Sequence, residues 1–89
     1  MQRIRQLVTY NNFNSIQNVV NDILSHHHKV IVVDDGSSTP LTELLEKNEN
    51  LIIETHATNQ GKGAAILTGV NKAKELGYTH AVSLDGDGQ

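Results

Sequence analysis

Four clusters of residues in this 89-residue chain have types and spacings that could do chemistry. The first is Asp34-Asp35, which ends the β-branched run Val30-Ile31-Val32-Val33 and runs into Gly36-Ser37-Ser38. A carboxylate at a strand end can accept hydrogen bonds from a nucleobase N–H or a ribose hydroxyl. It can equally cap the turn that follows. Two adjacent carboxylates point in different directions and are expected to do different jobs, with Asp35 the stronger binding candidate.

The second cluster is Asp85-Gly86-Asp87-Gly88-Gln89. Glycines permit bends that bring the Asp85 and Asp87 carboxylates together. Hard oxygen ligands of this kind suit Mg²⁺ or Mn²⁺, which keep waters and complete their shell from substrate phosphates. The bland alternative is a solvated Asp-Gly turn.

The third is Asn59-Gln60-Gly61-Lys62-Gly63-Ala64-Ala65. Its glycines allow close backbone approach, and a helix N-terminus beyond them offers N–H groups to an anion. It is not a Walker loop, since His56 stands five residues before Gly61 and Gly63 follows Lys62. A lysine at a helix start opposes the helix dipole. Lys62 is therefore read either as a ligand contact or as a solvent-facing side chain. The fourth cluster, His26-His27-His28, spreads around a helix end and cannot share one face, so it reads as surface.

These residues need elements to position them. Ile16, Val19, Val20, Ile23 and Leu24 form the stripe of an amphipathic helix, with Asn14 or Ser15 as its cap. Val30–Val33 reads as a strand buried on both faces. Thr39-Pro40 reads as an N-cap and first helical position, with Leu41, Leu44 and Leu45 as the apolar side. Leu51-Ile52-Ile53 is a third strand. Gly61–Leu76 is a third helix with Ile66, Val70 and Ala73 on one face and Gly77 as its stop. Leu7-Val8-Thr9 and Ala81-Val82-Ser83-Leu84 complete the pattern βαβαβαβ. That order predicts an α/β fold with a Rossmann-like parallel sheet. Ligands of such sheets sit beyond the carboxyl ends of the strands, where the clusters above fall, joined there by Thr9-Tyr10-Asn11.

Composition narrows the function classes. Apolar residues are 37% of the chain and aromatics 3%, so the core rests on Val, Ile, Leu and Ala. The absence of cysteine excludes disulfides and thiolate-bound zinc, which fits a cytoplasmic protein. A net charge of −3 without a basic face argues against nucleic acid. No stretch approaches the roughly 20 apolar residues of a membrane span, and no signal peptide follows Met1.

Taken together, the segments resemble the family 2 glycosyltransferases of the GT-A fold. Thr9-Tyr10-Asn11 resembles the first-strand motif, with Val8 where proline is usual. Val32-Val33-Asp34-Asp35-Gly36-Ser37 resembles the second-strand signature. Asn59-Gln60-Gly61-Lys62-Gly63, with Ala64-Ala65 and Gly69, resembles the third-helix loop. Asp85-Gly86-Asp87-Gly88-Gln89 resembles the metal motif as found among polyprenyl-phosphate sugar transferases.

The resemblance implies a nucleotide-diphosphate-sugar donor and transfer with inversion. It implies that Thr9, Tyr10, Asn11 and Asp35 line the nucleoside site, with Lys62 beside the base. Asp85 would lie near ribose or metal, Asp87 would bind Mn²⁺ or Mg²⁺, and Gln89 would join it. The family's catalytic base and acceptor site lie in a C-terminal half. Residues 1–89 are accordingly expected to be one donor-binding subdomain ending just after the metal motif and inactive alone; a full-length parent could be membrane-associated. The fourth strand is expected to lack neighbours, and an unpaired edge invites self-association.

The rival readings are a phosphorelay receiver or another small α/β binding module, a calcium loop and a nucleotidyltransferase. A receiver carries its acidic pair after the first strand, whereas this pair follows the second. A calcium loop needs a glutamate at its twelfth position. A nucleotidyltransferase needs a glycine-rich loop after the first strand, where Thr9-Tyr10-Asn11-Asn12 stands.

Overall fold

The computed structural model describes residues 6–10, 12–37, 39 and 41–85, with the backbone alone at Gln6, Leu7 and Asp85. Seven elements alternate along the chain: β1 (Gln6–Tyr10), α1 (Phe13–Ser25), β2 (Val30–Asp35), α2 (Leu41–Leu44), β3 (Leu51–His56), α3 (Lys62–Leu76) and β4 (His80–Asp85). The strands form one sheet in the order β1-β4-β2-β3, and all three pairings are parallel. The expected α/β parallel architecture is therefore present.

The pleat of β2 sorts the core into two layers. Val30 and Val32 face α1 and α2, joining Ile16, Val20, Ile23, Leu41, Leu45, Val82 and Leu84. Ile31 and Val33 face α3, joining Ala65 and Ala73. Successive strand residues point to opposite faces, so one β-branched run feeds both layers.

The fourth strand is not an edge. It lies between β1 and β2 and pairs with both, so the expectation that it lacks neighbours is corrected. Its short apolar run Ala81-Val82-Ser83-Leu84 is buried throughout, which suits an interior strand. Among the described strands, β1 and β3 form the sheet edges.

Local chemistry explains the helix ends. Asn12, not Asn14 or Ser15, caps α1: its Oδ1 accepts from the Ser15 N–H at 2.9 Å. Starting the helix at Phe13 lets that ring pack against the core beside Ile16 and Val20. At the other end, Gly77 adopts φ 76° and its N–H bonds the Ala73 carbonyl, the expected stop.

The buried side of α3 keeps Ala73 of the expected face but not Ile66 or Val70. Ala65, Gly69 and Ala73 are its buried residues, while Ile66 and Val70 are half-buried. A Cβ at Gly69 would lie 3.3 Å from Val33 Cγ2 and 3.6 Å from Ala81 Cβ. The helix thus sits close to the sheet on a row of small residues, and the larger Ile66 and Val70 flank the contact. Among the described residues, no helix is long and apolar enough to cross a membrane.

Candidate functional site at the carboxyl edge of the sheet

The candidate residues that the structure describes lie at or near the carboxyl ends of the strands. The connection after β2 passes to the α1/α2 face, and the connection after β3 passes to the α3 face. β2 and β3 are neighbours, so their ends meet the condition under which such sheets bind ligands, connections leaving to opposite faces. Asp35 and His56 are register partners at that point.

Asp34 belongs to the α1/α2 face. It is fully buried, and its carboxylate accepts from the Ser37 N–H at 3.0 Å, the Ser37 hydroxyl at 2.8 Å and the Leu41 N–H at 2.9 Å. It closes the turn after β2 and satisfies an N–H at the start of α2, where a negative charge is favoured. The Thr39 carbonyl lies 2.9 Å from the same Ser37 hydroxyl and shares its one proton with Asp34, while Pro40 lies outside the described residues. The turn-capping reading describes Asp34 well.

Asp35 belongs to the α3 face and is equally buried. Its Oδ1 takes His56 Nδ1–H at 2.7 Å and the Gln60 N–H at 2.9 Å; its Oδ2 takes the Gly61 N–H at 3.0 Å. Burial pushes its pKa up, but the donors from Gln60, His56 and Gly61 outweigh burial and hold it below the ordinary value. The carboxyl is therefore ionised at neutral pH. The backbone N–H groups ahead of α3, expected to receive a ligand anion, are here received by Asp35.

The loop between β3 and α3 is drawn tightly over the end of β2. Asn59 Nδ2 donates to the Asp35 carbonyl at 3.1 Å, and Asn59 Oδ1 accepts from the Gly61 N–H at 3.1 Å. Gly36 has φ 80°, and a Cβ there would lie 2.5 Å from Asn59 N. Only glycine fits that crossing.

Sequence reasoning gave His56 no role. Its Nδ1 meets Asp35, and its Nε2 lies 3.0 Å from Thr68 Oγ1 on α3. The signal available for His56 was its position at a strand end, next to Asp35 in a parallel register. Nothing in the spacing of Thr68 marks it.

The remaining candidates are placed as follows. Thr9 Oγ1 lies 2.9 Å from Ser83 Oγ, its register partner on β4. Tyr10 is half-buried against the α1-side core. Lys62 is exposed as the first residue of α3, after the capping residue Gly61. The Asp85 backbone ends β4 directly beside Asp35 in the parallel register. Asn11, Asp87 and Gln89 lie outside the described residues. Among the described residues no three His, Cys, Asp or Glu side chains converge as a metal site.

The histidine run sits at the opposite, amino-terminal end of the sheet. His26 and His27 are exposed, as expected, but the His28 ring stacks on His80 with centroids 4.7 Å apart. A cleft of about 480 Å³ lies between α2 and β3, lined by Leu45, Asn48, Leu51 and Ile53 among others. It shares no residue with the candidate site.

Comparison with known proteins gives the chain relatives. The family model described as glycosyl transferase family 2 matches residues 7–89. A UDP-N-acetylglucosamine–dolichyl-phosphate N-acetylglucosaminyltransferase of Methanococcus voltae is 35% identical over 97 aligned positions, covering 90% of this chain and 39% of that protein. An uncharacterized protein of Methanocaldococcus jannaschii is 35% identical over 63 positions, covering 71% of this chain and 26% of its own length. The chain thus spans well under half the length of these curated relatives. No solved structure matches the chain.

Proposed function

Because the chain belongs to glycosyl transferase family 2, we propose that it supplies the donor-binding part of an inverting glycosyltransferase that uses a nucleotide-diphosphate sugar. The observation that carries this reading is the register of Asp35 and Asp85. The two aspartates end adjacent parallel strands side by side, at the edge where such sheets bind ligands. Thr9, Tyr10, Asn11, Asp35 and Lys62 are assigned to the nucleoside and its phosphates.

Asp35 has a defined capacity for this task. A carboxylate offers roughly four acceptor positions, and the protein fills two on Oδ1 and one on Oδ2. A nucleobase N–H or ribose hydroxyl would use the remaining position on Oδ2. Because Asp35 is buried under the 57–61 loop, that contact requires the loop to give way.

Asp85 and Asp87 offer carboxylate oxygens and Gln89 an amide oxygen, a donor set that fits Mn²⁺ or Mg²⁺. These residues would hold the ion, and its chemistry when bound would be to neutralise charge on the diphosphate leaving group. In the transfer, an acceptor oxygen bonds to the anomeric carbon from one face as the bond to the diphosphate oxygen breaks on the other.

The Methanococcus voltae relative, a UDP-N-acetylglucosamine–dolichyl-phosphate N-acetylglucosaminyltransferase by name, suggests the acceptor class. We extend a polyprenyl phosphate acceptor to this protein. A phosphate monoester is largely ionised at neutral pH, since its second pKa is about 6. Its oxygen can attack without a general base, whereas a hydroxyl acceptor would need one.

The test is a titration of Mn²⁺ into the full-length protein with and without UDP. Metal and nucleotide should bind cooperatively, because two carboxylates leave most of a shell of about six ligands to be completed by diphosphate and water. Unchanged UDP-dependent Mn²⁺ affinity in Asp87→Asn would remove the metal assignment.

A further inference from the structure

We propose that His56 is a positioning residue for donor recognition: clamped between Asp35 and Thr68, it fixes the Asp35 carboxylate so that Oδ2 faces the nucleoside. This rests on the reading of Asp35 as a nucleoside contact.

The argument begins with what each group can donate. An ionised carboxylate only accepts, so at 2.7 Å from Asp35 Oδ1 the His56 Nδ1 must carry a proton. That leaves Nε2 facing Thr68 Oγ1 at 3.0 Å. In neutral His56, Nε2 is the acceptor and the Thr68 hydroxyl donates to it. Asp35 therefore fixes the tautomer, and the Thr68 hydroxyl, able to donate or accept, fits it and holds the ring's orientation from the other side.

The geometry assigns the two carboxylate oxygens different work. Oδ1 holds two donors, His56 Nδ1–H and the Gln60 N–H, and is filled. Oδ2 holds only the Gly61 N–H. If the loop carrying Gln60 and Gly61 moves to admit a nucleotide, His56 remains as the donor from outside that loop. It is anchored on β3 and α3, not on the moving segment. Rotation of the carboxylate is then resisted by the imidazole alone. An imidazole held this way is only about one-tenth exposed, so water does not readily substitute for it.

The experiment measures UDP binding to the full-length protein by calorimetry, alongside the ¹⁵N shifts of the His56 ring. His56→Ala should weaken UDP binding about tenfold, the loss of one charge-assisted hydrogen bond. His56→Asn places an amide N–H near the former Nδ1 and should recover most of that loss. Thr68→Val removes the hydroxyl with little change of shape; Nδ1 should stay protonated, because Asp35 still accepts from it, and binding should weaken less than in His56→Ala. Asp35→Asn separates the two claims. If Asp35→Asn weakens UDP binding while His56→Ala folds and binds UDP normally, the positioning role is overturned and the nucleoside role of Asp35 stands. If neither matters, both fall. Should His56→Ala not fold, His56→Asn and the ring shifts of the natural protein decide: an unprotonated His56 Nδ1, or no better binding by His56→Asn than by Asp35→Asn, contradicts the proposal.

Discussion

Asp34 and Asp35 are neighbours in the chain yet serve opposite faces of the sheet. Asp34 accepts the Leu41 N–H at 2.9 Å beside α2, and Asp35 accepts the Gly61 N–H at 3.0 Å ahead of α3. The pleat imposes this division, because successive strand residues alternate faces. One carboxylate organises the turn after β2, and the other ties down the loop after β3. Replacing either by alanine strands buried N–H groups. Each variant should lose about 2–4 kcal/mol, read by chemical denaturation. Asp34→Ala should loosen α2 alone and Asp35→Ala the 57–61 loop alone, visible as amide exchange at Leu41 and at Gln60 and Gly61 respectively.

Stability should depend on acid through Asp35. Its pKa in the folded protein lies below the ordinary value of 3.8, despite burial, because of its donors Gln60, His56 and Gly61. A group whose folded pKa is depressed contributes fully above its unfolded pKa and loses that contribution as pH falls through the folded one. The stability gap between the natural protein and Asp35→Asn should therefore shrink as pH falls below about 4, through the carboxylate range. Denaturation at a series of pH values measures this. A gap that grows below about pH 4 would reverse the assigned sign.

Gly36 should not tolerate a side chain. Its φ of 80° disfavours any L residue, and a Cβ would lie 2.5 Å from Asn59 N and 2.8 Å from the Thr58 carbonyl carbon. Backbone atoms cannot step aside as a side chain can. Gly36→Ala should cost about 2 kcal/mol or more, combining left-handed strain of about 1–2 kcal/mol with displacement of the loop. Faster amide exchange at Gln60 and Gly61 would mark the displaced loop, and stability equal to the natural protein would deny the close crossing.

Small residues set the distance of α3 from the sheet. A Cβ at Gly69 would already touch Val33 and Ala81. Gly69→Leu should destabilise by about 1–3 kcal/mol through overpacking, despite the better helix propensity of leucine. At the exposed cap of α1, Asn12→Ala should cost about 1 kcal/mol, whereas Asn14→Ala should cost little. Thermal or chemical unfolding of the three variants gives the ranking.

Features fixed by neighbouring residues were legible in the sequence. The buried run of β2, the stripe of α1 and the Gly77 stop depend on local periodicity and backbone freedom, and all three are present. The cap of α1 was misplaced by two or three residues because Asn12, Asn14 and Ser15 all cap well; the packing of Phe13 decides among them. The buried face of α3 was read at Ala73 alone; Ala65 and Gly69 were missed because alanine and glycine carry little hydrophobic signal, although closeness is what buries them. The interior place of β4 could not be read from order along the chain, since strand order is a tertiary choice. The pairing of Asp35 with His56 and Thr68 joins three elements, and no sequence period links residues 21 and 12 positions apart.

The central claim is that nucleotide binds at the carboxyl edge of the sheet. Amide chemical-shift mapping of the full-length protein, titrated with UDP and Mg²⁺, tests it most directly. The account predicts the largest shifts at Tyr10, Gly36, Gln60, Gly61, Lys62 and Asp85, with Leu45, Asn48 and Leu51 unmoved. Shifts concentrated instead at those three residues, in the cleft between α2 and β3, would contradict it.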